Sequence, residues 1–253
     1  MTELSAPGQG QGEDTRTAEL AQRISAVRSR IVKAADRAGR SDRLPALIVV
    51  TKFHPAEDIR RLAALGIKDV GENRDQEAAA KALELADLAL TWHFVGQLQT
   101  KKAKSVARYA SAVHSVDRTQ LVDALAKAVG NEMESSGRAP LDCFIQVNLE
   151  DQTDDAGTHR GGAAPTDVPV VAERIAASEA LSLAGVMAVA PLGMPPEPAF
   201  EKLAGISARL AAAYPAATAI SAGMSQDLEA AIKFGATHLR IGSDILGSRP
   251  AVG

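Results

Sequence analysis

The sequence predicts an α/β protein: a single (β/α)8 barrel of the TIM type with an extra N-terminal helix. Three observations favour this fold class. The chain has 253 residues, and such barrels typically have about 250. Short apolar runs alternate with amphipathic runs along most of the chain. Aromatic residues make up only 3% of the composition, so the core is expected to consist mainly of Ala, Val, Leu and Ile.

The N-terminal region divides into a tail and a helix. Residues 1–16 are rich in Gly, Gln, Ser and Thr and lack a hydrophobic period, which predicts a disordered tail. From Thr17 to Ala38, apolar residues recur every three or four positions, as on one face of a long amphipathic helix. Gly39 follows as a C-cap. Residues 17–253 therefore form the predicted barrel domain.

Eight segments have the composition of buried strands. In chain order they are Ala46–Thr51, Lys68–Gly71, Thr91–Val95, Ala112–Val116, Leu141–Asn148, Leu183–Val189, Thr218–Ser221 and His238–Ile241. Helical patterns such as AEDIRRLAALG and SQDLEAAIKFG separate them. Strands that alternate with helices pair in parallel through right-handed crossovers, and eight such units close a barrel. An open doubly wound sheet is the alternative, but the G-x-G-x-x-G sequence that usually follows its first strand is absent.

Charge and composition argue against several classes of function. The formal net charge of -3 disfavours a nucleic-acid-binding protein, which is usually strongly basic. The single cysteine, Cys143, permits no internal disulfide and fits a reducing compartment. The sequence has neither an apolar run of the ~20 residues that span a bilayer nor a secretion signal. We therefore expect a cytoplasmic protein that binds no membrane. Histidines at 54, 114, 159 and 238 lack metal-ligand spacing, so no metal site is expected.

The first predicted strand ends in a lysine. In a barrel of this type, functional residues lie at the carboxyl ends of the strands. Lys52 follows the apolar run ALIVV after one intervening residue, Thr51, so its amine is expected at a partly desolvated strand end, where the neutral form is favoured. A neutral amine can form a Schiff base with an aldehyde.

Two Gly/Ser turns follow the last two strands, SAGMS from Ser221 to Ser225 and the pair Gly242-Ser243. Small residues let the backbone approach a ligand closely, and each turn leads into a helical pattern whose free N–H groups favour an anion. Barrels commonly hold phosphate at these two turns. Together with Lys52, the turns define a ligand that carries both an aldehyde and a phosphate. Pyridoxal 5′-phosphate and a sugar phosphate in an aldolase both meet this description.

Four separated motifs stand in a fixed order along the chain. They are VVTKFHPAEDIRRLAALGIKDVGENRDQEAAAK, WHFVGQLQTKKAK, GVMAVAP and SAGMSQDLEAAIKFGATHLRIGSDILGSR. Together they resemble the pyridoxal phosphate homeostasis protein family, over nearly the whole chain. The resemblance implies a single barrel similar to the N-terminal domain of alanine racemase, with pyridoxal phosphate held on Lys52. It also implies a carrier or regulator of the cofactor without an established reaction, with apoenzymes as recipients.

The resemblance implies roles for further residues. Asn73 and His93 would lie near the cofactor, and Arg240 would approach its pyridine nitrogen. The residues around its phosphate would be Ser221, Gly223, Met224, Ser225, Gly242 and Ser243. No residue receives a catalytic role. The chain departs from the family within the polar loop 150–166, where DDAGTHRGG replaces a frequent lysine; the role of that lysine is lost or passes to Arg160.

A pyridoxal phosphate-dependent amino acid racemase is the enzymatic alternative. Two-base racemisation needs a proton donor opposite the lysine, which the related racemase takes from a tyrosine of a second domain. Tyr109 and Tyr214, the two tyrosines here, fall outside the predicted strand ends, and the barrel units leave no residues for a second domain. Arg240 near the ring nitrogen would disfavour its protonation and weaken the ring as an electron sink. We therefore expect a monomer that binds and releases the cofactor without robust catalysis.

Overall fold

In the computed structural model, which describes residues 9–150 and 161–248, parallel strands close into a barrel in the order β1 to β8. The strands are β1 Ala46–Val50, β2 Asp69–Glu72, β3 Thr91–Phe94, β4 Ala112–Val116, β5 Leu141–Gln146, β6 Leu181–Met187, β7 Ala219–Ser221 and β8 His238–Ile241. β1 pairs with both β2 and β8, which closes the barrel. The predicted (β/α)8 barrel is therefore confirmed, with strand ends that differ from the prediction by one or two residues.

Helices surround the strands and place their apolar faces on the outer side of the barrel. They are α1 Gln9–Arg37, α2 Ala56–Ala64, α3 Asp75–Glu84, α4 Ala103–Tyr109, α5 Thr119–Ser136, α6 Val168–Ala176, α7 Pro196–Ala213, α8 Leu228–Lys233 and α9 Ser243–Leu246. A short 3-10 turn, Thr100–Lys102, precedes α4. None of the described helices is both long enough and apolar enough to cross a membrane.

The N-terminal helix begins earlier than predicted. α1 starts at Gln9, so residues 9–16 of the predicted disordered tail are helical, whereas residues 1–8 lie outside the described residues. The guanidinium of Arg16 explains much of this extension, because it donates to Asp58 at 2.9 Å and to the Leu246 carbonyl at 3.0 Å. These contacts come from distant segments, and an anchored helix gains one hydrogen bond for each residue added.

The predicted apolar face of α1 packs on the barrel. Leu20, Ile24, Val27 and Ile31 are all buried in the main core, which lies between the strands and the surrounding helices. The predicted cap is also confirmed, because Gly39, two residues beyond the last helical residue Arg37, has φ +65°. This left-handed conformation is the one that glycine adopts without strain.

Candidate functional site

The carboxyl end of β1 places Lys52 between the ends of β2 and β8. The preceding residue, Thr51, donates its N–H to the Gly71 carbonyl of β2 at 2.8 Å. On the other side, Gly242 packs so closely that a Cβ there would lie 3.3 Å from the Val50 carbonyl oxygen. The Lys52 side chain is half-buried. Its ammonium forms no hydrogen bond or ion pair with residues 9–150 or 161–248.

A second lysine, Lys81 of α3, is buried beneath this strand end. Its ammonium donates to the Thr51 carbonyl at 2.9 Å, to Glu72 at 2.8 Å and to Glu77 at 2.6 Å. Because an ammonium has three donors, this lysine is fully occupied. The Thr51 hydroxyl also donates to Glu72, at 2.7 Å. Lys81 therefore holds the residue before Lys52 in place.

The residue after Lys52 is held by the same cluster. Phe53 has φ +67°, a strained conformation for a bulky side chain. Its N–H donates to Glu77 at 2.7 Å. The guanidinium of Arg74 lies 4.6 Å from the centre of its ring, which is a cation–π contact. With both neighbours fixed, the backbone from which the Lys52 side chain projects is fixed as well.

The turns after β7 and β8 meet at their hydroxyl groups. The Oγ atoms of Ser225 and Ser243 lie 3.3 Å apart. The backbone N–H groups of Ser225, Gly242 and Ser243 have no acceptor within the described part of the chain. Unpaired N–H groups beside two hydroxyls favour an anion. We call these hydroxyl and N–H groups the anion cradle.

The anion cradle is held from outside by α1. Arg30 donates to the Ser225 carbonyl at 2.9 Å and to Asp244 at 2.7 Å. Met224 lies at the edge of the cradle, but its N–H is already bonded to Asp227 at 2.6 Å. Arg30 thus ties the two turns together although it is far from both in the sequence.

Gly223 is required by the shape of the first turn. Its φ is +94°, and a Cβ there would lie 2.7 Å from the Ala231 Cβ and 2.8 Å from Leu239 Cδ2. We expect Gly223→Ala to lower the free energy of unfolding by about 2–3 kcal/mol, measured by urea denaturation. Gly130→Ala is the control, because nothing lies within 4 Å of its Cβ position in α5; it should raise stability by up to about 1 kcal/mol. Equal effects of the two substitutions on the free energy of unfolding would contradict the requirement for glycine at position 223.

Three of the predicted site residues, His93, Ser221 and Arg240, lie inside the barrel on one hydrogen-bonded chain. Its successive contacts are Arg240 Nη1 to Ser221 Oγ at 2.6 Å, Ser221 Oγ to His114 Nδ1 at 2.8 Å, His114 Nε2 to His93 Nδ1 at 3.0 Å, and His93 Nε2 to Asp69 Oδ1 at 3.0 Å. The Ser221 hydroxyl is therefore bonded in the barrel interior and not to the anion cradle. His93 likewise bonds two interior partners.

Arg240 is almost completely buried at the end of β8. Burial lowers the pKa of its guanidinium to about 10, so the group still carries its charge at neutral pH. A second bond, from Nη2 to the Ala188 carbonyl at 2.9 Å, fixes its orientation. The two bonds use two of the five N–H donors of the guanidinium.

Asn73 lies beside a cavity of about 570 Å³ at the rim of the barrel. The cavity is also lined by Arg74, Phe94, Gln97 and Lys102. The Asn73 Oδ1 atom is buried and has no hydrogen-bond partner among the described residues. A cavity of this size accommodates a small molecule.

His238, a half-buried histidine beside this hydrogen-bonded chain, makes stability depend on pH. Burial lowers the pKa of His238 from 6.5 to about 4. The contribution of His238 to the free energy of unfolding is thus complete above about pH 6.5. It is lost as the pH falls towards 4, because His238 binds a proton in the unfolded protein before it does so in the folded protein. We expect His238→Gln to lose about 2 kcal/mol less than the wild type between pH 7 and pH 4.5, measured by urea denaturation. An unchanged pH dependence would contradict this.

Sequence reasoning missed Lys81 and its two glutamates, and also Asp69 and His114. The i,i+4 spacing of Glu77 and Lys81 on α3 was the available signal for the ion cluster. The one inference that the sequence supports for His114, its lack of metal-ligand spacing, does not predict its hydrogen bonds inside the barrel. No group of three or more His, Cys, Asp or Glu side chains that could hold a metal ion occurs in the described segments. Arg160 and the rest of residues 151–160 lie outside them.

Comparison with known proteins gives consistent matches. A family model described as the N-terminal domain of alanine racemase matches residues 23–250. A curated relative from Corynebacterium glutamicum, named pyridoxal phosphate homeostasis protein, is 45% identical over 206 residues, which cover 81% of this chain and 90% of the relative. A relative of the same name from Pseudomonas aeruginosa is 38% identical and covers 91% of this chain and 96% of its own length.

Solved structures show the same similarity. PipY from Synechococcus elongatus, solved with PLP bound, has a TM-score of 0.74 and 31% identity, covering 90% of this chain and 100% of PipY. Alanine racemase from Corynebacterium glutamicum has a TM-score of 0.61 at 15% identity and covers 94% of this chain and 62% of the racemase. At that level of identity, the racemase shares the fold alone.

Proposed function

Because the chain belongs to the pyridoxal phosphate homeostasis protein family, we propose that it holds pyridoxal 5′-phosphate covalently on Lys52 and acts in the homeostasis of this cofactor. The observation that carries the proposal is the Lys52 amine, which has no described partner and projects from a fixed backbone at the barrel mouth. The PLP-bound structure of PipY supports the choice of ligand.

The residues present fit this cofactor. The anion cradle, formed by Ser225, Gly242 and Ser243, offers hydroxyl and unpaired N–H donors suited to a phosphate. Lys52 would bind the aldehyde, and Arg240 would face the pyridine nitrogen as the family resemblance implies. When bound, pyridoxal phosphate supplies an aldehyde for amines and a ring that can accept electrons.

The surroundings of the site favour binding over catalysis. The charged guanidinium of Arg240 disfavours protonation of a nearby ring nitrogen, which weakens the ring as an electron sink. Neither tyrosine stands at the carboxyl end of a strand: Tyr109 ends α4 and Tyr214 follows α7. The Tyr109 hydroxyl is directed to Asp75 at 3.5 Å, and burial raises its pKa. A proton donor for racemisation is therefore missing from these positions.

We extend the proposal to the biological role. The protein would bind and release the cofactor as a monomer in the cytoplasm and would pass it to apoenzymes. The half-buried position of Lys52 at the barrel mouth supports exchange, because an incoming amine can reach it. The remaining site residues, Asn73, His93, Ser221, Gly223 and Met224, would support the site from around the cofactor.

An absorption spectrum tests the proposed function. Purified protein is incubated with pyridoxal 5′-phosphate, desalted and scanned, and then incubated with single amino acids. We expect a visible band that differs from that of the free cofactor, without racemisation, decarboxylation or transamination. Absence of the band would overturn the binding proposal. Robust turnover of an amino acid would favour the racemase alternative, and borohydride trapping only with a sugar phosphate would favour an aldolase.

A further inference from the structure

The hydrogen-bonded chain inside the barrel has a direction that its two ends determine. The guanidinium of Arg240 can only donate, and the carboxylate of Asp69 can only accept. Ser221 Oγ therefore accepts from Arg240 at 2.6 Å, and its single proton points to His114 Nδ1 at 2.8 Å. His114 then carries its own proton on Nε2 and donates to His93. His93 likewise carries its proton on Nε2 and donates to Asp69.

This direction satisfies Ser221, His114 and His93, because each then donates its one proton and accepts one hydrogen bond. His114 and Ser221 are fully buried, and His93 and Arg240 are each 5% exposed. An unpaired donor or acceptor in such a place is costly, since water cannot replace the missing partner. The reversed direction would require a proton on His114 Nδ1 and would leave the Ser221 proton without an acceptor.

The groups packed around His114 also favour its neutral form. The ring of Phe144 stacks on His114 with centroids 4.1 Å apart. The ring of His238 lies 6.2 Å from His114 and 6.5 Å from His93. Burial, together with the nearby Arg240 and the two other histidines, holds the pKa of His114 well below its ordinary value. The carboxylate of Asp69, 34% exposed, is the end of the chain that meets solvent.

We propose that Asp69, His93 and His114 are positioning residues for Arg240, acting through Ser221 as a directed chain of hydrogen bonds. The chain fixes the Ser221 hydroxyl as an acceptor for the guanidinium, and it leaves that hydroxyl unable to serve a phosphate. Arg240 is thereby held at the end of β8, and its three remaining N–H donors, which have no acceptor among the described residues, can face a ligand. The identity of that ligand rests on the proposed function. The direction of the hydrogen-bonded chain does not.

The first test needs no cofactor. In ligand-free protein labelled with 15N-histidine, long-range 15N–1H correlation spectra distinguish the tautomers of each ring. We expect His93 and His114 each to carry a proton on Nε2 and none on Nδ1 at neutral pH, as their hydrogen-bond partners require. A proton on Nδ1 of either ring, or a doubly protonated ring, at neutral pH would overturn the proposal. This result does not depend on whether pyridoxal phosphate binds.

The second test separates positioning from simple packing. His114→Phe fills the space but cannot hydrogen-bond, whereas His114→Gln can accept from Ser221 and donate to His93. We expect His114→Phe to weaken the binding of pyridoxal 5′-phosphate about tenfold, corresponding to the loss of one charge-assisted contact. His114→Gln should recover most of that loss. The visible band should persist in both variants, because Lys52 is intact.

The outcomes of the second test are distinct. Wild-type affinity in His114→Phe, or equal weakening in the phenylalanine and glutamine variants, would refute the positioning role while the proposed function stands. If the wild-type protein shows no visible band with pyridoxal 5′-phosphate, the proposed function is refuted. The tautomer test then decides whether the hydrogen-bonded chain has the proposed direction. If His114→Phe does not fold, the tautomers in the wild type again decide.

Discussion

Replacing Lys52 by alanine is expected to abolish the visible absorption band that pyridoxal 5′-phosphate produces with the wild-type protein. The reason is that the band requires a covalent link to an amine. Lys52 supplies one from the end of β1, where the preceding backbone contacts the ends of β2 and β8. The other lysine at this strand end is Lys81 of α3, and its ammonium already donates to three oxygen acceptors. With all three of its N–H groups engaged, its nitrogen has no lone pair with which to attack an aldehyde in place of Lys52.

The fold should survive this substitution. Lys52 has no hydrogen bond or ion pair with the described residues, so its truncation should change the free energy of unfolding by less than about 0.5 kcal/mol. Lys104→Ala is the matched control, because Lys104 is an exposed lysine of α4; it should keep the band. A Lys52→Ala protein that still shows the wild-type band would place the covalent site elsewhere.

Replacing Lys81 by methionine is expected to lower the free energy of unfolding by about 3–5 kcal/mol, the usual effect of removing one partner from a buried ion pair. Glu72 is fully buried, and burial raises its pKa even though the Lys81 ammonium opposes that change. One of its oxygens already has no described hydrogen-bond partner. Without Lys81, the other oxygen would retain only the Thr51 hydroxyl.

The measurement is urea denaturation at pH 7, with Lys104→Met as the control for loss of a surface lysine. The double variant Lys81→Met/Glu72→Gln should recover part of the lost stability, because it removes the uncompensated carboxylate. Lys81→Met should also weaken cofactor binding, since the Thr51 carbonyl before Lys52 loses its donor. Glu77, which anchors Phe53 on the other side, loses its counter-ion. If the single variant is as stable as the Lys104→Met control, the buried cluster is not what holds this strand end.

The barrel was predictable because its signals are local. The apolar run ALIVV predicts β1. Lys52 lies two residues beyond the end of that run, and this position does not depend on the neighbouring strands. The turns at Ser225 and Gly242 are recognisable for the same reason, since small residues after a strand are visible in the sequence alone. Placing Lys52 and the two turns at the same mouth of the barrel needed only the rule that the carboxyl ends of parallel strands lie on one side of the barrel.

The remaining features depend on contacts between distant segments. The start of α1 was misplaced because Arg16 is anchored by Asp58 and Leu246, which the composition of residues 9–16 does not reveal. The role of His114 was missed because its partners, His93 and Ser221, come from β3 and β7. They become its neighbours only once the barrel is closed. A resemblance of motifs identified Ser221 but could not show which way its hydroxyl points.

Reduction with borohydride followed by peptide mapping tests the central claim most directly. The protein is loaded with pyridoxal 5′-phosphate, reduced, digested and analysed by mass spectrometry, with Lys52→Ala treated in parallel. We expect one stoichiometric pyridoxyl modification on the peptide that contains Lys52, and none in the variant. A modification located on another lysine, or the same low labelling spread over many surface lysines in both proteins, would contradict the account.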